Sequence, residues 1–133
     1  MNSKIKFIIP FLALILIFSF ALACSGTSDQ KEKEYTTEYK LAVIDKGGYL
    51  EEDDPVVSEY RIMLNSLKAK VINDEIDIAD IVVTTQKRLK EKYQINLTIL
   101  KIMKDLDSCI PDDVENLDLK EIAAAYIVLL VSE

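Results

Sequence analysis

The sequence has no histidine and no tryptophan, and its four phenylalanines, Phe7, Phe11, Phe18 and Phe20, all precede residue 24. Without imidazole the chain lacks the usual general base and the commonest metal ligand, and neither a Ser-His-Asp nor a Cys-His arrangement can be built. Glycine and proline are scarce at three each. Gly47-Gly48 has neither the spacing of a phosphate loop nor the lysine that follows one. Two cysteines, Cys24 and Cys109, are too few for a disulfide framework. Positive charge is short as well: 16 Lys and Arg stand against 23 Asp and Glu, a net charge of −7. Because Lys4 and Lys6 are the only charges before Cys24, the chain from Cys24 onward carries −9. So acidic a chain meets repulsion at every phosphate, which argues against nucleic acid as a partner. The composition therefore points away from an enzyme, and no cofactor or metal is expected.

What is present begins with an address. Met1 to Lys6 carries two lysines, Phe7 to Ala23 is an apolar run broken only by Pro10 and Ser19, and small residues lead into a cysteine in Ala21-Leu22-Ala23-Cys24. This is the layout of a signal peptide. Its ending resembles the lipobox of bacterial lipoprotein precursors, a resemblance confined to residues 1 to 24. The resemblance implies cleavage before Cys24, a diacylglycerol on the Cys24 sulfur and often an acyl chain such as palmitate on its amine. In a Gram-negative host, Ser25 would further imply passage to the outer membrane. With two or three acyl chains at about 0.8 kcal/mol per buried methylene, such an anchor is effectively permanent. Two other readings stay open: an uncleaved anchor, since 17 residues lie at the short edge of what spans a bilayer, and an ordinary secretory signal with a free Cys24 that could pair with Cys109. All three place the rest of the chain outside the cytoplasm.

Residues 25–36 hold no aliphatic side chain and mix both charge signs, the composition of a flexible tether. From Thr37 on, apolar residues recur at helical spacing, and five helices are expected in an all-α bundle over 37–133. The first, about Thr37 to Lys46, has Leu41 and Ile44 on one face and stops at Gly47-Gly48. The second opens at Asp54-Pro55, an N-cap followed by proline at the first helical position, and aligns Val57, Tyr60, Leu64, Leu67 and Val71. The third, about Asp74 to Tyr93, aligns Ile78, Val82, Thr85 and Leu89, with acids in its first turns and Lys87, Arg88, Lys90 and Lys92 at its end, matching the helix dipole. The fourth is expected to start around Asn96 as N-cap, with Ile95 and Leu100 as hydrophobic staple, and to run through Met103 to Leu106. In the fifth, Asp118 and Glu121 form a capping box and Leu117 and Ile122 the staple. Ile122 to Val131 then continues with no charged residue, which suggests the central helix of the bundle or a face held against a partner. The β-branched run Ile81 to Thr85 and the alternation of Ile95, Leu97 and Ile99 leave an α+β alternative.

Chemistry-bearing groups are few. Glu51-Glu52-Asp53-Asp54 invites a calcium reading, but Asp45 to Val56 has Gly47 and Tyr49 where oxygen ligands belong. Asp54 reads as a cap. Asp74, Asp77 and Asp80 share one helix face and could share a cation, although their place at a helix start explains them equally. Cys109 lies among acids that disfavour its thiolate and reads as a half-buried structural thiol in the loop between helices four and five. Asn96-Leu97-Thr98 has the form of a glycosylation sequon, incidental under a bacterial address. Tyr49 and Leu50 sit off any helical face, and with Glu51, Glu52 and Asp53 they form the candidate partner-binding residues. The sequence thus suggests a membrane-anchored bacterial lipoprotein with a small helical interaction domain for an envelope protein. The alternative is a lipoprotein that binds a small molecule or a divalent cation.

Overall fold

Asp54 accepts a hydrogen bond from the Val56 backbone N–H (2.9 Å), and Pro55, which has no N–H to satisfy, opens the helix behind it. Local signals of this kind set most element boundaries in the computed structural model, which describes residues 33–133. The expected signal segment 1–23, Cys24 and most of the expected tether lie outside the described residues.

Among the described residues five helices follow one another: α1 (Thr37–Lys46), α2 (Pro55–Lys70), α3 (Glu75–Tyr93), α4 (Ile99–Cys109) and α5 (Leu119–Ser132). Residues Glu34–Glu133 form one compact unit, an all-α bundle. Among the described residues there is no sheet; the one isolated bridge, Val71 with Leu117, ties the α2–α3 turn to the α4–α5 loop. The α+β alternative fails for two physical reasons. Ile81 to Thr85 lies inside α3, where Ile81, Val82 and Thr85 are buried in the core while Thr84 is exposed. Residues 95–98 form no strand and pair with none; Ile95 and Leu97 lean on the core while Asn96 and Thr98 face solvent.

The seams of α2 and α3 are buried as their spacing predicts: Val57, Tyr60, Leu64, Leu67 and Val71 on one, Ile78, Val82, Thr85 and Leu89 on the other. In α4, Ile99, Ile102, Met103 and Leu106 are all fully buried, each worth roughly 1.5–3 kcal/mol of transfer free energy. The centre of the bundle is α3 with α4, since each of these two packs against all four other helices. This corrects the expectation for the last helix: among the described helices α5 touches only α3 and α4, burying Leu119, Ala123, Tyr126 and Ile127 while Val128 and Leu129 remain 64% exposed.

Three further expectations are corrected. Ile44 is 55% exposed, because the buried side of α1 is Glu38, Tyr39, Leu41 and Ala42. The N-cap of α4 is Thr98, whose side chain accepts from Lys101 N–H (3.1 Å), and not Asn96. Cys109 is the last residue of α4 and is exposed, not half-buried in a loop. At the N-terminal edge Tyr35, within the expected tether, is half-buried and stacked on Tyr39 with ring centroids 4.6 Å apart.

Candidate partner-binding site

The predicted loop residues divide when the chain folds. Gly47 takes the left-handed conformation (φ 72°) that ends α1, and the turn behind it carries Tyr49 outward, 75% exposed. Leu50 turns inward: its side chain packs against the core and its carbonyl accepts from the Tyr39 hydroxyl (2.9 Å). Glu51, Glu52 and Asp53 are exposed. Glu52 lines a small recess with Tyr35, Thr36, Tyr39 and Arg61.

That recess shares Glu34, Tyr35 and Thr36 with a larger groove of about 640 Å³ between α1 and α3. Its walls carry Leu41, Ala79 and Val83, and its lips carry Ile44 and Ile76, which is 67% exposed. Four carboxylates, Glu34, Glu38, Glu75 and Asp80, surround this apolar surface, against one lysine, Lys40. Two of the four are neutralised from outside: Arg61 Nε donates to Glu38 (2.9 Å) and Lys68 Nζ to Glu75 (3.1 Å). Burial works to raise the Glu38 carboxyl, but its backbone hydrogen bond and the Arg61 guanidinium outweigh that and hold it below the ordinary glutamate value. Glu34 and Asp80 are exposed at the rim.

The groove was not legible in the sequence because α1 buries acids where its pattern suggests isoleucine. Glu38, Leu41, Ala42 and Asp45 lie at three- and four-residue spacing, and the two polar members of that seam are bonded inside the fold. Asp45 Oδ1 accepts from Ile99 N–H (2.8 Å) and the Gln86 amide (3.3 Å), while Oδ2 accepts from Leu100 N–H (3.1 Å) and the Tyr60 hydroxyl (2.5 Å). A carboxylate on α1 thus caps the start of α4. Burial, the hydrogen bond to Asp45 and its negative charge all push the Tyr60 phenol well above its ordinary value. At the other end of α4, Lys70 from α2 donates to the carbonyls of Asp107 and Ile110 (both 3.3 Å) and pairs with Asp112 (2.9 Å), a cation at the negative end of the helix dipole. The bond to Asp112 is the main reason the Lys70 ammonium is held above its ordinary value, and Asp112 is held below its own. Asn73 Oδ1 likewise accepts from Leu119 N–H (2.8 Å) at the start of α5.

The residues the cation reading needs are not brought together. Asp74 caps α3 by accepting from Asp77 N–H (2.9 Å), and Asp77 and Asp80 face solvent. Among the described residues no three of His, Cys, Asp and Glu are grouped to hold a metal ion, and every buried side-chain nitrogen or oxygen has a hydrogen-bond partner. Lys87, Arg88, Lys90 and Lys92 are exposed along the end of α3, with Lys92 Nζ 5.4 Å from the Tyr93 ring centroid. Also among the described residues, no helix is long and apolar enough to cross a membrane.

The fold and groove therefore define a small all-α domain with an acidic-rimmed apolar cleft on its surface. No protein-family model matches the sequence, and neither a curated protein nor a solved structure matches it at a significant level.

Proposed function

We propose that this chain is a membrane-anchored bacterial lipoprotein, lipidated at Cys24, whose helical domain works on the extracytoplasmic face by holding a basic amphipathic helix of an envelope protein in the α1–α3 groove. The groove itself carries the reading: an apolar surface with exposed isoleucines at both lips and more carboxylates than lysines around it suits a segment with an apolar stripe flanked by Lys or Arg. The −9 charge of the chain from Cys24 onward would steer such a segment in. Glu52, in the neighbouring recess, extends the same surface.

Fluorescence anisotropy with two labelled helical peptides tests this. The peptides share one apolar face and differ in carrying lysines or glutamates on the other. The basic peptide is expected to bind, more weakly at high salt. Its affinity should fall about tenfold in Ile76→Gln, which removes part of a side chain worth roughly 1.5–3 kcal/mol when fully buried. Equal binding of both peptides, or of neither, would overturn the reading.

A further inference from the structure

We propose that the outer face of α5 is a self-association surface on which a second copy of this chain packs its own α5 antiparallel. Among the described residues the face is open, since α5 packs only on α3 and α4, and between Glu121 and Glu133 it presents no charged residue. Its central stripe is Glu121, Ala124, Ala125, Val128, Leu129 and Ser132, all exposed, with Lys120 and Val131 exposed along one edge.

The order of that stripe favours a second copy over other occupants. Reversed about a two-fold axis between Tyr126 and Ile127, it becomes its own complement. Ala125 then meets Val128 of the other copy, Ala124 meets Leu129, and Glu121 meets Ser132. Each large side chain faces a small one, which lets two helices approach closely. The same register sets Lys120 against Glu133 and the two helix dipoles head to tail. A parallel pairing would instead put Glu121 on Glu121 and alanine on alanine, with a charge clash at one end and gaps beside it. A bilayer is a poorer match, since α5 has no Lys or Arg beyond Lys120 and the domain is acidic. One helix pair buries less than the about 800 Å² per partner of a standard interface. The dimer is accordingly weak in solution and strengthened wherever the chains are confined to one surface.

Disulfide trapping reads the register directly. In the full-length chain carrying Cys24→Ser and Cys109→Ser, in mild detergent, Glu121→Cys and Ser132→Cys variants of different tag length are oxidised separately and mixed. The antiparallel register puts residue 121 of one copy beside 132 of the other, but holds the two copies of 121 about 16 Å apart along the axis at 1.5 Å per residue. Mixed dimers are expected at no less than tenfold the yield of either variant alone, and Ala125→Glu, at an exposed site that leaves helical content unchanged, should abolish them. Equal crosslinking of each variant with itself, no crosslink in the mixture, or mixed dimers that survive Ala125→Glu would overturn the proposal.

Discussion

Removing the Asp45 carboxylate with Asp45→Ala tests how a polar residue in an apolar seam holds this bundle together. Two losses add. The Tyr60 hydroxyl, on a residue with no exposed surface, loses its acceptor; a buried donor left unpaired costs about 1–3 kcal/mol. The N–H groups of Ile99 and Leu100 lose their cap; Thr98 still satisfies Lys101 N–H, so this part resembles an ordinary N-cap deletion at about 1 kcal/mol. The total is about 3 kcal/mol, and at 4–8 °C per kcal/mol for a domain near 100 residues the midpoint should fall by roughly 12–24 °C. Thermal melts followed by circular dichroism measure it, with Asp53→Ala, at an exposed loop site, expected within about 0.5 kcal/mol of the parent. Combining Asp45→Ala with Tyr60→Phe should recover about 1 kcal/mol or more, because the orphaned hydroxyl leaves with its former partner. A fall below about 0.5 kcal/mol in the single variant would refute the cross-helix cap as a determinant of the fold.

Three other outcomes follow from the same geometry. Glu38 has a lowered carboxyl, so its contribution is present above the ordinary glutamate value of 4.5 and is lost as pH falls through the folded value. Urea midpoints should drop over that acid range, with a shallower slope in Glu38→Gln, by no more than about 1 kcal/mol because Arg61 is half exposed. Tyr60 and Tyr126, the latter raised by burial and its hydrogen bond to Asp105, contribute stability that is full below the ordinary phenol value of 10 and declines above it. In an ultraviolet titration both should stay protonated well above the ordinary phenol range, until the domain unfolds. Leu106→Ala, in the fully buried face of α4, should cost about 2–5 kcal/mol, read from chemical denaturation.

The parts of the fold that depend on one segment alone were legible. The apolar seams of α2 and α3 and the Asp54 cap follow from spacing and from a side chain that bonds backbone two residues away; Asp118 does cap α5, but through Lys120 N–H and not in a box with Glu121, and Asp74, read as a first-turn acid, is the N-cap of α3. What escaped the sequence is long-range and polar. Asp45 capping α4 across 54 residues and Glu38 held by Arg61 across 23 turn acids into seam residues, and hydrophobic periodicity then assigns Ile44 to the wrong side. The candidate groove is a consequence of that displacement, since Ile44 is free to form its lip only because the acids hold the inner face. The place of α5 was misread for a related reason. A run without charge cannot show which of its faces is covered, and Tyr126, bonded to Asp105 of α4 (2.7 Å), is what orients it. Among the loop residues, Tyr49 is exposed and Leu50 is half-buried because the Tyr39 hydroxyl fastens the backbone there.

The central claim is that this acidic bundle works tethered to a membrane surface through Cys24. Intact mass of the protein extracted from its native membrane, beside a Cys24→Ser variant, measures this directly. A mass equal to residues 24–133 plus acyl chains, lost in the variant, is the predicted result. A full-length mass, or a truncated one without acyl groups, would contradict it.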